Sequence, residues 1–224
     1  MGTAVVVLST LGALALAEAC LVRLGATHGS TPEERREPLP GDGRIGRPSV
    51  QTDHATTIDA PPEAVWPWLQ QMGWGRAGWY TARWVDLAFF PDNGPSADRV
   101  VPDWQDLAVG SFVPDGPPET ECGFTVIDLE PARSLVLRST THLPAEIRDV
   151  ASVDWTWTFQ LTPLDDGGRT RLHVRSRWVT APWWLTLVAR LGILPADFVM
   201  SRDMLAGIRA RSERSMPVPA HPLT

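Results

Sequence analysis

The sequence contains no lysine; all 20 of its basic residues are arginine. Schiff-base chemistry by a side-chain amine is therefore excluded. Cysteine is scarce. Cys20 lies in a hydrophobic N-terminal stretch and Cys122 in the middle of the chain, so a structural disulfide between them is not expected. No CxxC and no Cys/His cluster is present, and the five histidines, at 28, 54, 142, 173 and 221, are scattered. None pairs with another at metal-ligand spacing, so no metal and no cofactor is expected. Excess positive charge is also missing. A net charge of −6 leaves no basic face for nucleic acid, which is excluded as a partner.

What the chain has in excess is tryptophan: eleven, against a single tyrosine, Tyr80. Large aromatics at this density fill a big core or wall a large apolar cavity. Hydrophobic residues are 43% and charged residues 21% of the 224, enough for one packed domain once the ends are set aside.

Thr3 to Ala17 carries no charge, and Glu18 alone interrupts an apolar stretch that continues to Val22. Residues 3–22 match the roughly 20 residues that a spanning helix needs. Residues 1–24 are therefore expected to form a hydrophobic helix outside the domain, serving as a membrane anchor. Arg23, Arg35 and Arg36 follow it and no basic residue precedes it, which places the folded domain in the cytoplasm. A secretory signal cleaved near Ala15–Ala19 is the alternative, with the domain then secreted; the missing basic n-region argues against it.

Residues 25–49 are rich in proline and glycine and keep no apolar period, so an extended, largely helix-free linker is expected. The domain proper is expected over 50–214. Val50 to Ile58 reads as a first strand. Asp59-Ala-Pro-Pro-Glu63 signals a helix start capped by Asp59, with Val65, Trp68, Leu69 and Met72 on one face and Gly73 ending it. A short second helix is expected from Arg83 to Phe90, and a short strand near Ser111 to Val113.

Four strand signals follow: Phe124–Leu129, Ser134–Ser139, Val153–Leu161 and Arg169–Trp178. In the third, Val153, Trp155, Trp157, Phe159 and Leu161 alternate with Asp154, Thr156, Thr158 and Gln160. In the fourth, Leu172, Val174, Ser176 and Trp178 oppose Arg171, His173, Arg175 and Arg177, which read as a solvated outer row paired with Asp154. Asp165-Asp-Gly-Gly168 is the hairpin turn between them. A long helix is expected from Pro182 to Arg214, broken or kinked at Gly192 and Pro195, before a disordered tail over 215–224.

The order strand, two helices, antiparallel strands, long terminal helix is the helix-grip order. The fold class is α+β, a curved antiparallel sheet wrapped around a long C-terminal helix. The stretch IDAPPEAVWPWLQQMGWGRAGWY, Ile58 to Tyr80, resembles the opening of the SRPBCC superfamily of START-like and pollen-allergen-like domains. Pro38–Ile45, Pro95–Pro117 and Pro195–Arg214 resemble its bacterial polyketide cyclase/dehydrase-like group. The resemblance implies a hydrophobic cavity between sheet and terminal helix. Members bind lipids, sterols or polyketides, and some catalyse cyclisation or dehydration. No catalytic motif of the cyclases aligns here, so no catalytic residue is assigned.

The expected function is binding of an apolar or amphipathic small molecule at the membrane, with a cyclase/dehydrase-like enzyme as the alternative. A third possibility is a collapsed cavity with a surface patch that binds a protein. Candidate ligand-binding residues are Trp79, Tyr80, Trp84, Phe124, Trp155, Trp157 and Trp184, with Arg76, Asp86 and Arg138 as polar groups able to orient a ligand. Trp183 and Trp184 form an apolar patch that closes the pocket or rests on a bilayer. Gly73 to Gly78 matches GxGxxG, but a helix precedes it where the dinucleotide fingerprint needs a strand, so it reads as a tight loop at a pocket mouth.

Overall fold

A computed structural model describes residues 2–89 and 91–215. The expected tail from Met216 lies outside the described residues. A helix α1 (Gly2–Thr27) leads into the strand β1 (Val50–Ile58), then α2 (Pro62–Gln70) and α3 (Arg83–Phe89). Five strands follow: β2 (Phe112–Pro114), β3 (Gly123–Glu130), β4 (Ser134–Ser139), β5 (Ser152–Leu164) and β6 (Arg169–Ala181). The chain ends in α4 (Trp183–Val188), a π-helical turn (Ala189–Ile193) and α5 (Leu194–Arg214). The six strands form one antiparallel sheet in the order β1-β6-β5-β4-β3-β2.

Register follows from alternation. Trp155 pairs with Trp178, Phe159 with Val174 and Leu161 with Leu172, so the apolar rows of β5 and β6 share one face. His54 pairs with Val174 on that same face. A register shift between Val126 and Asp128 marks a bulge in β3, where β4 pairs on either side of it. The inner face meets α2 and α5 in one core with Trp68, Leu69, Phe124, Leu135, Phe159, Leu172, Leu205 and Ile208. Burying each such side chain stabilises the fold by ~1.5–3 kcal/mol.

The terminal helix does not break where proline and glycine fall. Pro195 lacks the N–H that a continuous α-helix requires, and the turn before it widens to the π form, so that helical backbone runs on without interruption. α5 approaches very closely at Gly207, where a Cβ would lie 1.9 Å from the Tyr80 carbonyl oxygen. Only glycine fits there. The N-cap of α2 is Pro61, whose side chain makes no capping bond; Asp59 instead pairs at the surface with Arg169 and Arg209.

Residues 25–49 differ from an extended linker. α1 runs on to Thr27, and its last turns pack on the domain: Gly25 lies against the Leu194 backbone, and Val22 joins Val50, Trp178 and Leu194 in a second apolar cluster. The chain then crosses the outer face of the sheet as a strap. Arg175 holds it there. Its Nη1 donates to the Glu37 carbonyl (2.8 Å) and Asp42 Oδ2 (2.8 Å), and its Nη2 to the carbonyls of Glu34 (2.9 Å) and Arg35 (3.2 Å). Its Nε donates to Asp53 Oδ1 at 2.7 Å.

The outer row of β6 is thus not a solvated face. His173, expected to be exposed, is buried and hydrogen-bonds to Asp53 Oδ1 at 2.9 Å. Arg171 grips Glu34 through two bonds of 2.7 and 2.9 Å. Asp154 pairs instead with Arg138 of β4, also through two bonds, 2.9 and 2.8 Å. Alternation specifies which way a side chain points; the strap decides that water is not there.

Candidate functional site

Between the inner face and α5 lies a pocket of ≈ 60 Å³. Trp155 and Trp157 of β5 and Trp79, from the loop before α3, supply its aromatic walls. Met200, Ser201 and Met204 of α5 close it from the helix side. Thr81, Asp115 and Asp197 complete it. The walls are rigid because the rings support one another. Trp79 and Trp157 have centroids 5.3 Å apart, Phe124 stands edge-on to Trp155 at 4.8 Å, and Trp155 meets Trp178 at 5.3 Å. Ser176 accepts from both Trp155 Nε1 (2.6 Å) and Trp178 Nε1 (2.7 Å), which locks those two indoles.

The volume matters. Pockets for drug-sized ligands run from ~300 Å³ upward. Most of the interior here is filled by aromatic side chains, and the space left suits a head group, not a whole lipid. A second, open cleft of ≈ 600 Å³ lies outside it, with Trp74, Pro91, Pro117, Cys122, Leu143 and Pro144 among its lining. Asp115 borders both.

Two carboxyl groups therefore meet at the pocket. Asp197 sits in the first turn of α5, half-buried, with its Oδ2 shut off from solvent. Ser201 donates to its Oδ1 at 3.2 Å, while its buried Oδ2 has no partner within the chain. Burial pushes its acidity well down, raising the pKa, with only the nearby His54 and the Ser201 bond opposing. Asp115 is held by His142, whose Nε2 lies 2.9 Å from Oδ2; the Asp115 Oδ1 is buried and unpartnered.

His142 stacks between Phe124 and Trp155, and its Nδ1 lies 2.6 Å from Ser139 Oγ. Ser139, His142 and Asp115 thus form a chain. It is not a nucleophile system: the buried Ser139 Oγ already accepts the Thr141 N–H at 3.1 Å. The chain fixes Asp115.

The residues singled out from sequence part company. Trp79, Trp155 and Trp157 line the pocket. Phe124 lies behind them in the core. Tyr80 is a structural anchor: its hydroxyl donates to the Trp68 carbonyl (2.8 Å), its ring packs edge-on to Trp68, and Arg211 covers its face. Trp84 is 58% exposed and Trp184 37% exposed, both away from the pocket.

The polar candidates do not orient anything in the pocket. Arg76 ties its loop to the carbonyls of Gln70 and Trp104 at 2.9 and 3.1 Å. Asp86 accepts from the Thr81 hydroxyl, and Arg138 is on the outer face. The glycine loop closes on itself through a bridge between Gly73 and Gly78, with φ of +128° and +71°. Trp74 within it reaches the outer cleft.

Asp197, Asp115 and His142 were missed. A carboxylate inside the apolar stretch LPADFVMS of a helix expected to face the core was the one available signal for Asp197. Asp115 and His142 come from loops, and nothing local marks them.

The sheet order and the terminal helix across it define the helix-grip class of α+β domain. No protein-family model matches the sequence, and no curated protein does. Solved structures do. Norcoclaurine synthase of Thalictrum flavum, a point mutant with a transition-state analogue, is 14% identical over 74% of this chain and 94% of its own, with a TM-score of 0.43. A Helicobacter pylori protein is 14% identical over 79% of this chain and 95% of its own, TM-score 0.43. One from Chromobacterium violaceum is 16% identical over 73% and 97%, TM-score 0.40. Likeness at this level says nothing about ligand or activity.

Proposed function

We propose that this chain is an SRPBCC-type binder of an amphipathic small molecule, held at a membrane by α1. The observation that carries the reading is the aromatic pocket with unpartnered polar atoms on its wall. Buried polar atoms without partners are rare, and they cluster where a ligand or water completes them. Trp79 Nε1, Asp115 Oδ1 and Asp197 Oδ2 are three such atoms on one small cavity. The head of the ligand fits there, and the rest of the ligand extends into the outer cleft beyond Asp115, where Trp74, Leu143 and prolines alternate with Asp92, Glu119, Glu121, Glu146 and Arg148.

The membrane part rests on apolar surface. α1 is uncharged from Gly2 to Ala17, and at its end the exposed Trp183, Trp184, Leu187, Val188, Leu191 and Ile193 continue that surface along α4 and the π turn. Removal of residues 3–22 should release the protein from carbonate-washed membranes; release of the intact chain by carbonate would refute the tether.

A cyclase/dehydrase-like acid–base enzyme is the second reading. It is favoured by the two convergent carboxyl groups, one with its pKa raised by burial and one held by histidine, which are the parts such chemistry uses. Native mass spectrometry of protein gently purified from its host separates the readings. A retained adduct of unchanged mass supports binding. A bare protein that converts no added ligand and retains none sinks both.

A further inference from the structure

Arg76, Asp86 and Arg138, the polar groups that the sequence offered to orient a ligand, are not in the pocket lining. Among the described residues, no arginine or histidine lines the pocket, and its only ionisable side chains are Asp115 and Asp197. We propose that the pocket takes the cationic head of an amine, an alkylammonium group seated against the tryptophan faces with its N–H bonds directed to Asp115 and Asp197. This rests on the binding reading above and names its ligand class.

Three independent features point the same way. Tryptophan faces carry negative potential and attract cations, most strongly when water is excluded. Trp79, Trp155 and Trp157 present three indoles to a space of ≈ 60 Å³, which matches a small ammonium group. The thioethers of Met200 and Met204 add polarizable contacts without donors that would repel a cation. Of the three unpartnered buried polar atoms on the cavity, Asp115 Oδ1 and Asp197 Oδ2 are pure acceptors when ionised and an ammonium group is a pure donor; the third, Trp79 Nε1, is itself a donor that an ammonium does not complete. An anionic head would meet two carboxyl groups and no counter-charge. A neutral alcohol can complete both oxygens only by accepting from a protonated Asp197, and it brings no positive charge to Asp115 or to the indole faces.

The proton accounting is simple. Burial raises the pKa of the free Asp197 carboxyl, and a seated ammonium favours its ionised form, so binding is coupled to loss of that proton wherever the free carboxyl is still protonated. Affinity then rises with pH below the free-state pKa of Asp197. The groups facing Asp197 are His54 from β1, Ser201 on its own helix and Asp115 across the pocket; His28 lies beyond His54, with Arg202 beside it.

The test uses the full chain in nanodiscs and three probes of one size: butylamine, butanol and butyrate. Binding is followed by the shifts of the indole N–H resonances and by calorimetry. The expected result is that butylamine binds at least tenfold more tightly than either other probe, about the ratio a desolvated cation–aromatic contact supplies. Asp197→Asn and Asp115→Asn should each bring the affinity for the amine close to that for the alcohol. Equal binding of butanol and butylamine overturns the amine assignment and leaves the binding reading standing. No shift with any probe overturns both. If Asp197→Asn does not fold, the wild-type ranking and Asp115→Asn decide.

Discussion

Arg175 Nε lies 2.7 Å from Asp53 Oδ1, and each side chain is only 3% exposed. The two strands that carry them are neighbours in the sheet, and the strap over residues 28–49 seals the pair. A buried charge pair adds little net stability over an apolar pair, but loss of one partner leaves the other charged and dry. Arg175→Ala should therefore cost about 3–5 kcal/mol in urea unfolding. Arg175→Met with Asp53→Asn should recover most of that. An Arg175→Ala loss below about 1 kcal/mol, the range of exposed pairs, would mean that water reaches the pair.

The strap belongs to the stability of the sheet. A chain beginning at Val50 lacks it and exposes Asp53, His173, Arg175 and Val136 together. Such a chain should be readily proteolysed, whereas one beginning at Gly25 should resist. A milder probe is Gly41→Ala. Gly41 has φ +87°, and a Cβ there would stand 2.5 Å from Val136 Cγ1. The expected loss is about 1–3 kcal/mol, from a left-handed backbone plus overpacking, read as a lowered urea midpoint.

Asp197 makes stability depend on pH with a definite sign. Its folded-state pKa lies above the unfolded value, because burial disfavours the carboxylate. Between those two values the folded state binds more protons than the unfolded state, so stability falls as pH rises through that window. Below the unfolded carboxylate pKa both states are protonated and this penalty vanishes. Asp197→Asn should remove the decline. Relative to wild type it should gain stability as pH rises through the window, measured by urea midpoints across a pH series. A gap between the two proteins that stays constant over the whole acid range would contradict the buried carboxyl.

Cys122 borders the outer cleft, and burial, aided by the Asp115 carboxylate, pushes its thiol up to about 11. At pH 8 its thiolate fraction is on the order of a hundredfold below that of an ordinary exposed cysteine. Iodoacetamide should therefore label it slowly, and the rate should climb steeply above pH 9. Asp115→Asn should bring part of the rate back. Rapid labelling of wild type at pH 8 would show the thiol to be exposed.

Strand content, pairing and facing were legible because a period of two is a local property: Trp155, Trp157, Phe159 and Leu161 declare one face by alternation alone. The long helix was legible too, with Gly192 and Pro195 marking where it departs from α geometry. What covers each face was not. The outer row of Arg171, His173, Arg175 and Arg177 looks solvated unless residues a hundred and more positions away are known to lie on it; Arg175 bonds to Glu37 across 138 positions. The pocket is the same problem in miniature. Three of its tryptophans follow from aromatic spacing, but the convergence of Asp115 and Asp197 depends on two distant segments meeting. Its small volume depends on how Phe124, Trp178 and His142 fill the space around it.

The strap also sets a timetable for synthesis. It leaves the ribosome long before β6, the strand whose arginines receive it, and β1 likewise waits for β6 as its neighbour in the sheet. Glu34, Glu37 and Asp42 must stay soluble and uncommitted until about three-quarters of the chain is made, which their charge and the surrounding prolines favour. Closure is then a late, long-range event of the kind that makes folding slow. The nascent chain should remain sensitive to protease until Arg175 has cleared the exit tunnel, and become resistant in a single step after it.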